Sequence, residues 1–79
     1  MIRAVVVGTG IYLPAKIMTN YDFPSSLETN HEWIVERTGI IQRHIAAEGE
    51  YTSDLGYHAA VRAMEAAGVV ASDLDLIIV

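Results

Sequence analysis

The chain contains no cysteine in its 79 residues. That absence excludes a disulfide framework, a thiolate metal site and a cysteine nucleophile within these residues. Basic residues are also scarce, five against ten acids, which leaves a net charge of −5. Few and scattered cations argue against a nucleic-acid or anionic-membrane surface. No apolar run reaches the roughly 18 residues needed to cross a bilayer. Met1-Ile2-Arg3 and the valines after it lack the basic flank and small-residue cleavage site of a signal peptide, so the expected location is cytoplasmic. Polar composition is limited too. Hydrophobic residues make up 52% against 19% charged, too apolar for intrinsic disorder, and the length suits one small domain rather than two.

Apolar residues gather at the two ends. Residues 2–7 and the closing Leu74-Asp75-Leu76-Ile77-Ile78-Val79 are nearly continuous in β-branched and aliphatic side chains. Two such strands joined by a long helical connection predict a parallel pair, and parallel sheets are covered on both faces. The expectation is an α/β fold, a parallel sheet with crossover helices, incomplete on its own. It would be the N-terminal piece of a larger α/β protein, or a chain that folds against another. Between the ends, Thr19-Asn20-Tyr21-Asp22 predicts a short helical turn. Thr29 with Glu32 three residues later matches a capping box for a helix over 30–38, with Arg37 in its last turn and Gly39 as its stop. Residues 40–46 read as extended or irregular. Ser53 is the expected N-cap of a second helix over 53–67. Leu55, Ala59, Ala60, Ala63, Met64 and Ala67 form its apolar stripe, small enough for close approach of another element, and Gly68 ends it.

Most candidate chemistry dissolves on inspection. Gly8-Thr9-Gly10 after a valine-rich strand invites a dinucleotide fingerprint, but position 13 is Leu and 14 is Pro, so a turn explains the glycines. His31, His44 and His58 have no metal-ligand spacing, and there is no serine nucleophile elbow. Glu32 and Glu36 share a helix face, where a cap and a solvated charge suffice. Thr29, Trp33 and Arg37 are the informative set, spaced by four along one stripe. Two readings of it stand on the residues alone. In one, the indole gives a flat face to an aromatic base, the guanidinium meets phosphate or stacks, and the hydroxyls of Thr29 and Thr38 bond to a base or ribose. In the other, Trp33 belongs to the core and Arg37 caps the helix.

The segment Glu32-Trp33-Ile34-Val35-Glu36-Arg37-Thr38-Gly39-Ile40 resembles the E-W-I-x-x-R-T-G-I motif of β-ketoacyl-acyl-carrier-protein synthase III. Gly8-Thr9-Gly10-Ile11-Tyr12-Leu13-Pro14, with Thr19-Asn20 following, resembles that family's opening. Arg43-His44-Ile45-Ala46, Ser53-Asp54-Leu55, Ala66-Ala67-Gly68 and residues 73–79 resemble its later segments in order. The resemblance spans essentially the whole chain. It implies the N-terminal portion of a thiolase-like fold, with residues 1–79 a partial N-terminal half of that domain.

The implied activity is that of a condensing acyltransferase. It takes an acyl group from acyl-coenzyme A onto a cysteine and condenses it with malonyl-acyl carrier protein to begin fatty-acid synthesis. The family's catalytic Cys, His and Asn fall beyond Val79, so the resemblance assigns no catalytic residue here. It implies no cofactor and no metal, coenzyme A thioester being a substrate. It implies a homodimer as the complete protein, and acyl carrier protein docking through regions outside this acidic segment. Carried over by position, the coenzyme A contacts are Trp33, Arg37 and Thr38, with Thr29 in addition. Ile41, His31 and Pro24-Ser25-Ser26 depart from the family pattern. They frame the alternatives: a specialised relative serving polyketide or secondary metabolism, or a non-catalytic binding piece of the same fold.

Overall fold

The computed structural model describes residues 2–79. These fall into two compact units, one made of residues 2–12 with 51–79 and the other of Leu13–Glu50.

In the 13–50 unit, strand β1 (Lys16–Thr19) pairs antiparallel with strand β2 (Gln42–Ile45). The register sets Lys16 opposite Ile45 and Thr19 opposite Gln42. The backbone N–H of Asn20 extends the ladder to the carbonyl of Ile41 at 3.2 Å. His44 Nδ1 donates to the Pro14 carbonyl at 2.6 Å, which ties the strand to the segment preceding its partner. The expected turn after Thr19 is a 3₁₀ helix, Asn20–Asp22.

Helix α1 (His31–Thr38) follows the predicted span. Its N-cap is Asn30 rather than Thr29. Asn30 sits in extended backbone and its Oδ1 accepts from the Trp33 N–H at 2.8 Å, satisfying one of the donors that a helix start leaves free. The expected Thr29–Glu32 box is therefore one residue out. Asx and hydroxyl caps share the same chemistry, and only the backbone turn selects between adjacent candidates. The stop is as expected: Gly39 takes φ +72° and returns its N–H to the Val35 carbonyl at 2.9 Å.

The other unit is organised by helix α2 (Thr52–Ala67). Its N-cap is Tyr51, not Ser53. The Asp54 carboxylate reaches back to the Tyr51 N–H at 2.8 Å, which supplies the cap from the N3 side. The same backward reach recurs as Asp22 to Thr19 N–H, Glu50 to Ala47 N–H and Asp73 to Val70 N–H, at 2.7–3.0 Å. Four of the ten acidic residues are thus engaged in starting turns or helices. At the far end, the Gly68 N–H bonds to the Glu65 carbonyl and the Val69 N–H to that of Met64, with Gly68 at φ +70°. These are the two hydrogen bonds of a Schellman motif.

The alanine stripe of α2 receives the Gly8–Gly10 segment. A Cβ on Gly8 would lie 2.8 Å from the Ala63 carbonyl oxygen and the Ala67 nitrogen, and one on Gly10 would press still closer on the backbone of Ala59 and Ala63. Neither glycine has positive φ. Close approach, not turn formation, is what requires them, and the turn explanation is corrected accordingly.

The expected parallel strands do not form a ladder. Among the described residues the sheet is two-stranded and antiparallel, and residues 2–7 and 74–79 carry no pairing. Val6 is 80% and Ile78 86% exposed. A strand exists only with a hydrogen-bonding neighbour, and these residues supply neither that neighbour nor the second covering layer that a parallel sheet needs.

Candidate functional site

Trp33 and Arg37 stand one turn apart on α1, and the fold brings them together. The Arg37 guanidinium carbon lies 4.7 Å from the centre of the Trp33 ring, within cation–π range. Trp33 is 48% exposed, so it is not a core residue; the buried side chain of this helix is Ile34. Within these residues Trp33 is left uncovered, as the ligand reading of the stripe requires. Opposite partial charges hold the pair: the ring face is electron-rich and the guanidinium delocalised. The result is a flat surface ending in a cation, a shape suited to an aromatic heterocycle carrying phosphate.

Thr38 is placed differently from its expected role. Its hydroxyl donates to the Ile34 carbonyl at 2.7 Å and accepts from the Ile40 N–H at 3.0 Å. Both contacts are to backbone and close the helix end, as a threonine in the last turn can do. Thr29 lies two residues before the first helical residue, so it does not share the α1 stripe with Trp33 and Arg37. It helps to line an open cleft of about 240 Å³ with Asn20, Tyr21, Phe23, His31 and Glu32.

Reasoning from sequence did not single out the polar cluster beside that cleft. Asn20 is buried at 3% exposure. Its Oδ1 accepts from Arg43 Nη2 at 2.6 Å, and its Nδ2 donates to the Ile40 carbonyl at 2.7 Å. The His31 ring stacks on Tyr21 with centroids 4.6 Å apart, and Arg43 lies over Phe23 at 4.8 Å. The available signal is the Thr19-Asn20 pair, which the sequence offers as a turn former and as part of the family-like opening, with no hint of burial. Among the described residues there is no group of three His, Cys, Asp or Glu able to hold a metal ion. No helix among them is long and apolar enough to cross a membrane.

Comparison with known proteins gives these features a context. No family model matches the chain. It is 60% identical over 78 residues to a β-ketoacyl-[acyl-carrier-protein] synthase III of Xylella fastidiosa, a match covering 99% of this chain and 24% of that protein. Its structure is similar to that of 3-oxoacyl-[acyl-carrier-protein] synthase III from Aquifex aeolicus, with a TM-score of 0.77 and 40% identity over 87% of this chain and 22% of that one. It is likewise similar to a priming β-ketosynthase of a polyketide biosynthetic pathway, with a TM-score of 0.79 and 37% identity over 89% of this chain and 21% of that one. The chain spans about a quarter of the length of the curated relatives it matches. It carries a part of the thiolase-like α/β fold of those structures, and that part is incomplete by itself.

Proposed function

We propose that this chain is the N-terminal segment of a β-ketoacyl-acyl-carrier-protein synthase III, a partial N-terminal half of its thiolase-like domain, and that it supplies part of the coenzyme A site. The observation that carries this reading is the exposed Trp33 ring with the Arg37 guanidinium 4.7 Å away, inside a segment 54–60% identical to proteins of that name. Trp33 offers its free face to adenine, and Arg37 offers charge to the phosphates. Thr38 holds the helix end that carries them, and Thr29 is a further polar contact at the cleft. In the complete protein a cysteine outside this segment takes the acyl group from acyl-coenzyme A. Decarboxylation of malonyl-acyl carrier protein then gives the carbanion that attacks the acyl thioester. Within these residues the work is binding and orientation. The complete enzyme is a cytoplasmic homodimer that docks acyl carrier protein through a surface elsewhere, since the net charge of −5 here would repel an acidic carrier.

The similarity to a priming β-ketosynthase supports a second reading, a polyketide-pathway relative of the same chemistry. Its 37% identity lies below the 40% of the Aquifex aeolicus synthase III structure, and the β-ketoacyl-[acyl-carrier-protein] synthase III of Xylella fastidiosa reaches 60%, so the first reading is favoured.

The test is Trp33→Ala and Arg37→Ala in the full-length protein. Trp33→Ala is expected to weaken coenzyme A binding by roughly 1–3 kcal/mol, the range for losing one base–aromatic stack, as read by calorimetry. Arg37→Ala is expected to raise the KM for an acyl-coenzyme A donor more than for an acyl carrier protein donor. Unchanged coenzyme A affinity in Trp33→Ala, or equal effects of Arg37→Ala on both donors, refutes the site.

A further inference from the structure

Helix α1 has a positioning problem. It is eight residues long and buries one side chain, Ile34. An isolated helix of that length is unstable in water, and a single apolar contact does not fix the direction in which its exposed face points. Something else must hold it.

Asn20 contacts both ends. Its Nδ2 donates to the carbonyl of Ile40, the residue after the Gly39 stop, at 2.7 Å. The same Nδ2 lies 3.2 Å from Nδ1 of His31, the first residue of the helix. An amide nitrogen can only donate, so the His31 nitrogen accepts. The amide oxygen is held in turn by Arg43 Nη2 at 2.6 Å, and Arg43 reaches from β2 to the Met18 carbonyl at 3.3 Å. The antiparallel ladder is thereby connected through one buried amide to the start and the end of α1. Among the described residues no buried side-chain polar atom is left without a partner. Two donors and one acceptor on a single planar group are what this arrangement uses. Aspartate would set a carboxylate oxygen against the Ile40 carbonyl, and alanine would remove the donor to that carbonyl and one of the two acceptors of Arg43.

We propose that Asn20 is a positioning residue for the coenzyme A site: its amide clamps both ends of α1 and so sets the direction in which Trp33 and Arg37 meet the nucleotide. The proposal rests on the coenzyme A reading of Trp33 and Arg37. It adds a residue that touches no ligand and whose effect falls selectively on donors that carry a nucleotide.

The experiment compares Asn20→Ala, His31→Ala and Trp33→Ala in the full-length protein, with acyl-coenzyme A and with the nucleotide-free donor acyl-pantetheine. Loss of two buried hydrogen bonds at about 1 kcal/mol each predicts a rise of roughly tenfold or more in KM for acyl-coenzyme A in Asn20→Ala. The KM for acyl-pantetheine and kcat with either donor should stay within about twofold, the scatter of a substitution away from the reacting atoms. His31→Ala frees one end of the helix and should raise the coenzyme A KM by about fivefold, again selectively. Hydrogen exchange of the α1 amides should quicken in both variants, a readout independent of any ligand. Equal losses with both donors would make Asn20 a general stability residue and overturn the proposal. An unchanged coenzyme A KM in Asn20→Ala while Trp33→Ala raises it would overturn the proposal and leave the coenzyme A reading standing. If Trp33→Ala also changes nothing, the coenzyme A reading falls and the proposal falls with it. Should Asn20→Ala fail to fold, His31→Ala decides: a selective rise supports the clamp, and no change overturns it.

Discussion

The two units are built on different principles. In residues 13–50 a strand ladder, a 3₁₀ turn and a short helix are connected by directional hydrogen bonds converging on the buried Asn20. In residues 2–12 with 51–79, α2 buries no residue fully, and the glycine segment is held against it by close contact with an alanine face, with Arg62 Nη1 donating to the Ile11 carbonyl at 2.8 Å and the Tyr12 and His58 rings 4.6 Å apart just beyond it. Here the apolar side chains of Val5, Val6, Val7, Ile77 and Ile78 remain largely exposed, and an apolar cleft of about 610 Å³ lies between α2 and residues 77–79. The first unit is specified by chemistry of few residues, each with named partners. The second relies more on the smallness of its contact residues, with Arg62 supplying a long-range side-chain hydrogen bond, and carries apolar surface that its own residues do not cover. Hydrogen bonds tolerate shape changes that keep donor and acceptor; close backbone contact tolerates no added atom.

Three tests separate these modes, in descending order of expected effect. Gly10→Ala puts a methyl group against the backbone of Ala59 and Ala63, where no flexible side chain can yield. It should cost about 1–3 kcal/mol, read as a lower denaturation midpoint at unchanged slope. A loss below about 0.5 kcal/mol would show that the contact is loose and the contrast between the units overstated. Gly39→Ala tests the hydrogen-bonded unit by backbone conformation alone. Nothing lies within 4 Å of the added Cβ, so the cost is that of the left-handed φ of +72°, about 1 kcal/mol, and Gly39→Asn should recover part of it. Equal stability of the alanine and glycine proteins would mean that the helix stop relaxes. The smallest expected effect distinguishes two neighbours. Asn30→Ala removes the cap on the Trp33 N–H and should cost about 1 kcal/mol, whereas Thr29→Ala should stay within about 0.5 kcal/mol. The reverse order in thermal unfolding would restore Thr29 as the cap.

Much of the fold was legible in the sequence, and the legible parts share a cause. Gly39 and Gly68 were correct stops because a left-handed residue after a helix strongly favours glycine, a local requirement. Both helices were placed within about one residue for the same reason of local patterning. The caps were misplaced by one or two residues: Thr29 and Asn30 offer the same capping chemistry and differ in backbone path, while at α2 the Asp54 carboxylate serves the Tyr51 N–H and no N-cap side chain is used. The strands over 2–7 and 74–79 were expected from their β-branched runs. Composition reports only that a segment would make a good strand, while a ladder needs a partner. At the site, the Trp33–Arg37 pairing was legible because i and i+4 on a helix always face together. Thr38 was not, because its hydroxyl had nearer acceptors and donors in its own backbone.

The sequence by itself determined the helix spans, their glycine stops, the small-residue face of α2 and the placement of an indole and a guanidinium one turn apart on one stripe. All of these follow from periodicity and from the conformational limits of single residues. Only the tertiary structure decided that Gly8 and Gly10 serve close packing and that Lys16–Thr19 pairs with Gln42–Ile45. It alone brought Asn20 to Ile40, His31 and Arg43, residues 11 to 23 positions away. Contacts over such separations depend on where the intervening chain turns back, and no local pattern encodes that path.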